Sequence, residues 1–234
     1  MKLPFVFLDL AMTADGKIAS ANRRVPSPGS PRDIAHMMEL RTHADAVISG
    51  ARTVDVNDAT LGTGGAKYRR MRLRRGLAEY NIRVIASGSG SIDPKSGIFK
   101  KRTAPLIVLT SKRVSKRRLQ TLQRLATDVK AFGKNEIDFR AAFAWLREKW
   151  KVKRLLCEGG GELNGALFRA GLVDELHLTI CPYIFGGQHA PTICDGEGIA
   201  HLKDAFQMRL RSMKRVDNEL FLVFRRLAVR GGTR

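Results

Sequence analysis

The 234 residues include 44% apolar side chains, with 42 Lys and Arg against 22 Asp and Glu. This excludes a disordered chain, and no apolar run approaches the roughly 20 residues that cross a bilayer. The net charge of +20 raises nucleic acid or another polyanion as a partner, but the basic runs KYRRMRLRR (67–75), KKR (100–102), KRVSKRR (112–118) and RLRSMKR (209–215) lie in separate elements. No helix-turn-helix, RNP or zinc-finger pattern accompanies them, so solvated Arg-rich faces are the simpler reading, with a field that draws in anionic ligands. Cys157, Cys181 and Cys194 show no metal-ligand spacing; they read as buried reduced thiols of a cytoplasmic protein, with no metal expected.

Along the chain, Val6, Leu8 and Leu10 alternate with Phe5 and Phe7, which predicts a central first strand apolar on both faces. Asp9 interrupts the apolar run, which argues against a signal peptide. Asp15-Gly16 is a turn signal, and a Pro/Ser/Gly loop occupies 25–31. Ser30-Pro31-Arg32-Asp33 opens a helix: Ser30 caps, Pro31 takes the first position, and Asp33 sits where a capping box wants an acid. Ile34, Met37, Met38 and Arg41 share one face of that helix. Residues 45–50 form a short buried strand, and 51–76 read as a long polar loop. Strands follow at 83–87 and 105–110, a helix around Leu119 and Leu122, and a strand at 128–132. Asp138 caps a helix with Phe139, Ala142, Phe143, Leu146 and Trp150 on its apolar face. A strand at 154–157, a helix at 162–170 closed by Gly171, a strand at 175–182 and a hairpin turning at Asp217-Asn218 complete the chain. Alternating strands and helices give an α/β fold: a mostly parallel sheet, helices on both faces and a C-terminal antiparallel hairpin. With no repeat and no linker, residues 1–234 read as a single domain.

In such sheets ligands bind at the carboxyl ends of the strands. There the stretch LLCEGGGELNGALFRAGL (155–172) runs strand, glycine turn, helix. Unpaired N–H groups and a dipole at the helix start favour an anion, and glycine lets a phosphate approach the backbone. Asn164 offers an amide to it; the alternative is a tight turn that binds nothing. Glu158 is a carboxylate at the edge of a buried strand, which needs donors, from the backbone or from a ligand. Glu162, in the first helical turn, is ordinary dipole compensation. Thr13–Gly16, Gly50–Thr53 and Ser87–Gly90 add small or hydroxylated clusters past three other strands, together suggesting a cleft for an extended phosphorylated ligand.

MTADGKIAS, LRTHADAVISGARTV, RVIASGSGSIDPKSGIF and LLCEGGGELNGALFRAGLVDELHLTICPYIFGG, in this order, resemble the reductase domain of riboflavin biosynthesis, over about residues 4–226. That domain is the C-terminal half of bifunctional bacterial deaminase-reductases and stands alone in archaea and fungi. The resemblance implies a dihydrofolate-reductase-like fold, NADPH as hydride donor, and a small-molecule substrate, a ribosylaminopyrimidinone 5′-phosphate, reduced to the ribitylamino compound. It also implies a homodimer meeting through Leu176–Pro182 and the hairpin. Thr53, Ser87, Gly88, Gly160, Gly161, Glu162, Leu163 and Asn164 match coenzyme positions, with Thr13 and Asp15 near the nicotinamide. Glu158, Ser30 and Leu61 match the substrate side. Asp15 is the nearest titratable proton donor, although Asp-Gly is also an ordinary turn. After the second strand this chain departs from its relatives: Asn57 replaces the coenzyme-contacting Asp, a Pro is absent, and no Arg stands at the phosphate-binding place, unless one of those at 69–75 folds inward. That departure keeps a reductase of another substrate, such as a pteridine, in view. The charge keeps a nucleic-acid-binding protein on a reductase scaffold as a third reading.

Overall fold

A computed structural model describes residues 2–23, 27–100 and 103–227. Part of the 25–31 loop and the basic residues 101–102 lie outside the described residues. In chain order the elements are β1 (Phe5–Thr13), α1 (Pro31–Arg41), β2 (Ala46–Gly50), α2 (Ala51–Asn57), α3 (Ala66–Arg74), β3 (Ile82–Ala86), α4 (Gly97–Lys100), β4 (Leu106–Thr110), α5 (Lys116–Leu125), β5 (Asp128–Ala131), α6 (Phe139–Lys149), β6 (Arg154–Cys157), α7 (Gly161–Arg169), β7 (Glu175–Cys181), a short 3-10 turn (Leu202–Asp204), β8 (Met208–Val216) and β9 (Glu219–Arg226). The chain gathers into two compact units: Met38–Leu156 with the first residues of the chain, and Phe5–Met37 with everything from Cys157 onward. Both are discontinuous in sequence, so no linker could mark them.

The first unit is built on parallel strands in the order β5-β4-β3-β2-β6, with β3 parallel to β2 and β4, and β4 parallel to β5. Val47, Ile48, Val84, Ile85, Ile107, Val108 and Leu109 are wholly buried on both faces, each worth about 1.5–3 kcal/mol of apolar burial. Asp138 accepts from the Ala141 N–H at 3.0 Å and so caps α6, whose Phe139, Ala142, Phe143 and Leu146 are buried as the spacing predicts. The expected 51–76 loop is instead two helices, α2 and α3. Ala, Lys, Arg, Met and Leu are strong helix formers, so the run AKYRRMRLR needs no apolar stripe to coil. Its anchor is a charge: the buried Arg72 guanidinium donates to the carbonyls of Arg41, Ala44 and Ala78 at 2.7, 2.5 and 2.8 Å. Burial depresses its pKa. Arg83, also buried, donates to the carbonyls of Ile98 and Ala104. Part of the basic excess is therefore internal scaffolding that no polyanion reaches.

The second unit has strand order β1-β7-β9-β8, with β1 parallel to β7 and the hairpin strands antiparallel. β1 is buried on both faces, as expected of a central strand. Gly171 ends α7 at φ +63, its N–H donating to the Phe168 carbonyl. The hairpin turns at Asp217 (φ +53) as read. Because β7 is flanked on both sides, 176–182 is not an edge; the edge strand is β8, which exposes Leu210 and Met213.

The face of α1 is rotated from the expected one. Ile34 is 52% exposed, while Asp33 and Leu40 are buried. Ser30 caps the helix by accepting from the N–H groups of Arg32 (3.1 Å) and Asp33 (3.4 Å). Glu219 of β9, not Asp33, completes the cap: its carboxylate accepts from the Ser30 N–H at 2.9 Å and hydroxyl at 2.6 Å. Asp33 turns inward to Thr179, and burial beside Glu219 raises its pKa. Among the described residues no helix is long and apolar enough to cross a membrane.

Candidate active site

β6 delivers Glu158 and the glycine turn. Gly159 lies at φ +83, where only glycine is at ease, and the Gly159–Gly160 peptide is cis. Gly160 is the N-cap of α7 with no side chain to close it. Among the described residues no carbonyl accepts an N–H of Gly160 or Gly161. These donors, at the positive end of a helix dipole, fit the diphosphate of a dinucleotide.

The glycines have a second reason to be there. A Cβ on Gly161 would lie 2.2 Å from Asp195 Oδ2, and one on Gly165 would lie 1.9 Å from the Asp195 carbonyl oxygen. The Asp195 N–H donates to the Gly161 carbonyl at 2.9 Å. Asp195 Oδ1 accepts from the Thr192 N–H and hydroxyl. A strap around 192–195 therefore lies on a smooth groove of α7. Asn164, expected to offer its amide to a ligand, is wholly buried and committed to this strap: Nδ2 donates to the Ile193 carbonyl at 2.8 Å, and Oδ1 accepts from the Cys157 thiol. Burial pushes the Cys157 thiol up to about 12. Leu163 is buried in the same helix, Glu162 is exposed, and Glu158 is half-buried just past the end of β6. Cys181 is buried too, but Cys194 in the strap is exposed, against the expectation of three buried thiols.

Past β1, Thr13 is wholly buried. Its hydroxyl donates to Asp15 Oδ1 at 2.5 Å and accepts from the Lys17 N–H at 2.9 Å. Asp15 also accepts from the N–H groups of Phe185 (3.2 Å) and Gly186 (2.7 Å), and the Thr13 hydroxyl leads in lowering its pKa. A carboxyl held in its charged form by three donors is an anchor for the 185–186 segment and a poor proton donor at neutral pH. This favours the turn among the two readings of Asp15. Ser30 has its hydroxyl in the α1 cap described above.

In the first unit, Thr53 lies half-buried in α2 and Asn57 is its exposed last residue. The neighbouring acids hold the chain: Asp55 accepts from the Asp93 N–H and Asp58 from the Gly97 N–H. Leu61 is a core residue, 1% exposed at φ +52, its carbonyl taken by Asn81 Nδ2 at 2.9 Å. Past β3, the Ser87 hydroxyl donates to the Ser91 carbonyl at 3.3 Å. The Gly88 carbonyl accepts from the hydroxyls of Thr110 (3.1 Å) and Ser111 (2.8 Å). Sequence reasoning missed the strap and these hydroxyl ties. A signal for the strap was present: Gly161 and Gly165, one helical turn apart, leave a stripe without side chains on α7.

These features define an α/β protein whose strand ends carry glycine- and hydroxyl-lined turns. The chain belongs to the RibD C-terminal domain family, whose model matches residues 4–222. It is 30% identical over 221 residues to the 2,5-diamino-6-ribosylamino-4(3H)-pyrimidinone 5′-phosphate reductase of Methanothermobacter thermautotrophicus, covering 94% of this chain and 97% of that one. It is 30% identical over 194 residues to the reductase of the same name from Archaeoglobus fulgidus, covering 83% and 87%. Among solved structures, a pyrimidine reductase-like protein from Corynebacterium diphtheriae superposes with a TM-score of 0.79 at 21% identity, covering 97% and 93%; the likeness is one of fold.

Proposed function

We propose that this protein is an NADPH-dependent reductase that converts a ribosylaminopyrimidinone 5′-phosphate to its ribitylamino product in riboflavin biosynthesis. The observation that carries the proposal is the similarity, over most of the chain, to two reductases of that name, joined to a family glycine turn whose Gly160 and Gly161 N–H groups no carbonyl among the described residues accepts. When bound, NADPH supplies the hydride, which goes to the anomeric carbon of the opened sugar. The rest of the task is positioning. In the second unit, the N–H groups of Gly160 and Gly161 bind the coenzyme diphosphate, flanked by Glu162 and Leu163, and Glu158 hydrogen-bonds the substrate. Thr13 and Asp15 shape the first loop rather than move a proton. In the first unit, Thr53, Asn57, Ser87 and Gly88 are the coenzyme-side residues, while Leu61, buried in the core, supports the substrate side by packing alone.

The partners in this reading are a phosphorylated small molecule and a second copy of the chain, in the cytoplasm, with no nucleic acid. Burial of Arg72 and Arg83 weakens the polyanion alternative. Dimerisation is assigned to the β8 face, where Leu210 and Met213 are exposed; Met213→Asp should yield a monomer by light scattering.

The deciding experiment is thermal melting with coenzyme. Millimolar NADPH should raise the Tm and NADH should raise it much less; no shift with either would sink the reading. Glu158→Ala should melt like the parent but lose turnover, and full activity in that variant would remove Glu158 from the site.

A further inference from the structure

We infer that Arg113 is the residue that selects the phosphorylated coenzyme, by pairing with its ribose 2′-phosphate; the inference rests on the reductase reading above. The loops that follow the adjacent strands β3 and β4 are tied together at their carboxyl ends, where α/β sheets bind ligands. Ser111 makes the tie. Its hydroxyl proton lies between the Gly88 carbonyl at 2.8 Å and the Asn135 carbonyl at 3.1 Å, with Gly88 the nearer acceptor, and its oxygen accepts from the Arg113 N–H at 3.4 Å. The Ser111 N–H donates to the same Gly88 carbonyl at 3.2 Å. The backbone of Arg113 is therefore fixed against the Ser87–Gly88 loop, although the side chain is exposed.

The guanidinium lies over the residue that has no side chain. A Cβ on Gly88 would stand 3.2 Å from Arg113 Nη2. On the far side, Arg118 Nη1 donates to the Ser89 carbonyl at 3.4 Å. The carbonyls of Gly88 and Ser89 thus face protein donors, and an exposed guanidinium fork, carried on a fixed backbone, stands beside them. Lys112, Arg113, Lys116, Arg117 and Arg118 follow in sequence with no Asp or Glu before Asp128, and among the described residues no acid forms an ion pair with the fork. A guanidinium in this setting suits a phosphomonoester dianion, which accepts two parallel N–H bonds. Two sources could supply that group: the coenzyme's 2′-phosphate or the sugar 5′-phosphate of the substrate. The coenzyme is favoured because the Ser87–Gly88 loop is the coenzyme-side loop of the proposed function.

The test is calorimetric titration of the whole protein with NADP⁺, NAD⁺, 2′-AMP, 5′-AMP and ribose 5-phosphate, for the parent and for Arg113→Ala, Arg113→Lys and Lys116→Ala. The parent should bind NADP⁺ and 2′-AMP well above NAD⁺ and 5′-AMP. Arg113→Ala should weaken NADP⁺ and 2′-AMP about tenfold or more, the loss of one charge-assisted pair, while NAD⁺ changes less than about twofold. Arg113→Lys should recover part of the loss, and Lys116→Ala should change the preference little, which separates a specific pair from the general field. An unchanged NADP⁺/NAD⁺ ratio in Arg113→Ala overturns the inference, as does equal binding of the two coenzymes by the parent. A loss confined to ribose 5-phosphate overturns it in favour of the substrate. Failure of the parent to bind any nicotinamide coenzyme instead overturns the proposed function itself.

Discussion

The two units bury their strands by different rules. In the first, β2, β3 and β4 fill both faces with Val, Ile and Leu, and the buried charges Arg72 and Arg83 act as donors to stray carbonyls. In the second, one face of β7 presents Glu175, His177, Thr179 and Cys181 in alternation, under the Asp33 and His36 side of α1. The glycine turns differ in the same way. On α7 a Cβ would strike backbone, the Asp195 carbonyl at 1.9 Å from Gly165. At Gly88 it would meet only the far end of the Arg113 side chain. A glycine near a ligand-side loop, whether in the loop like Gly88 or in the helix that follows like Gly165, therefore answers two distinct needs, and what its missing Cβ would touch distinguishes them.

The largest effect should come from Gly165→Ala. By helix propensity alone the change would stabilise α7 by up to about 1 kcal/mol. Because the obstacle is backbone in the strap, it should instead cost about 3 kcal/mol, the upper range for overpacking, seen as a lower midpoint in urea. A stabilised variant would mean that the strap does not close on α7.

Next come the polar groups under α1. The His177 ring at 3.0 Å and the Arg225 guanidinium at 2.7 Å hold the Glu175 carboxyl down at about 2, against an ordinary 4.5. A depressed carboxylate stabilises the fold above its unfolded pKa and loses that contribution as pH falls toward its folded one. Glu175→Gln should therefore cost about 2 kcal/mol at pH 7, the gap to the parent closing between about pH 4.5 and 2. Asp33 has the opposite sign. Burial raises its pKa, so the stability it gives is present below its unfolded pKa and lost as pH rises through the folded one. Asp33→Asn should be more stable than the parent at pH 7 by about 1 kcal/mol, with the advantage vanishing toward pH 3. A gap for either variant that stays constant with pH would show that the group does not titrate as its surroundings dictate.

Much of the fold was legible. The strands follow apolar runs, Asp138 and Gly171 mark helix ends, and Asp217-Asn218 marks the hairpin, all local signals. α2 and α3 were not, because α2 starts at Gly50 without a side-chain cap and α3 is anchored by a charge instead of an apolar stripe. The rotated face of α1 was hidden because periodicity assumes that Ile34 goes in and Asp33 out, whereas Thr179 and the cap from Glu219 reverse them. At the candidate site, position was legible but commitment was not. Nothing local to Asn164 says that its amide faces Ile193, 29 residues on, and nothing local to Thr13 says that its hydroxyl belongs to Asp15 and Lys17. Long-range pairing decides whether a polar group is open to a ligand, and a single sequence does not display it.

The smallest expected change sharpens the contrast between the turns most. Gly88→Ala places a methyl 3.2 Å from Arg113 Nη2, and Gly88 is not among the glycines at positive φ. A long exposed side chain yields at little cost, so stability should move by less than about 0.5 kcal/mol. The guanidinium should nevertheless be pushed off its place over the loop, lowering NADP⁺ affinity while NAD⁺ affinity holds. The same methyl group is then destructive on α7 and nearly silent to folding here. If Gly88→Ala unfolded the protein as readily as Gly165→Ala, the Gly88 turn would be a packing joint like the one on α7, and its place beside a ligand would lose its physical basis.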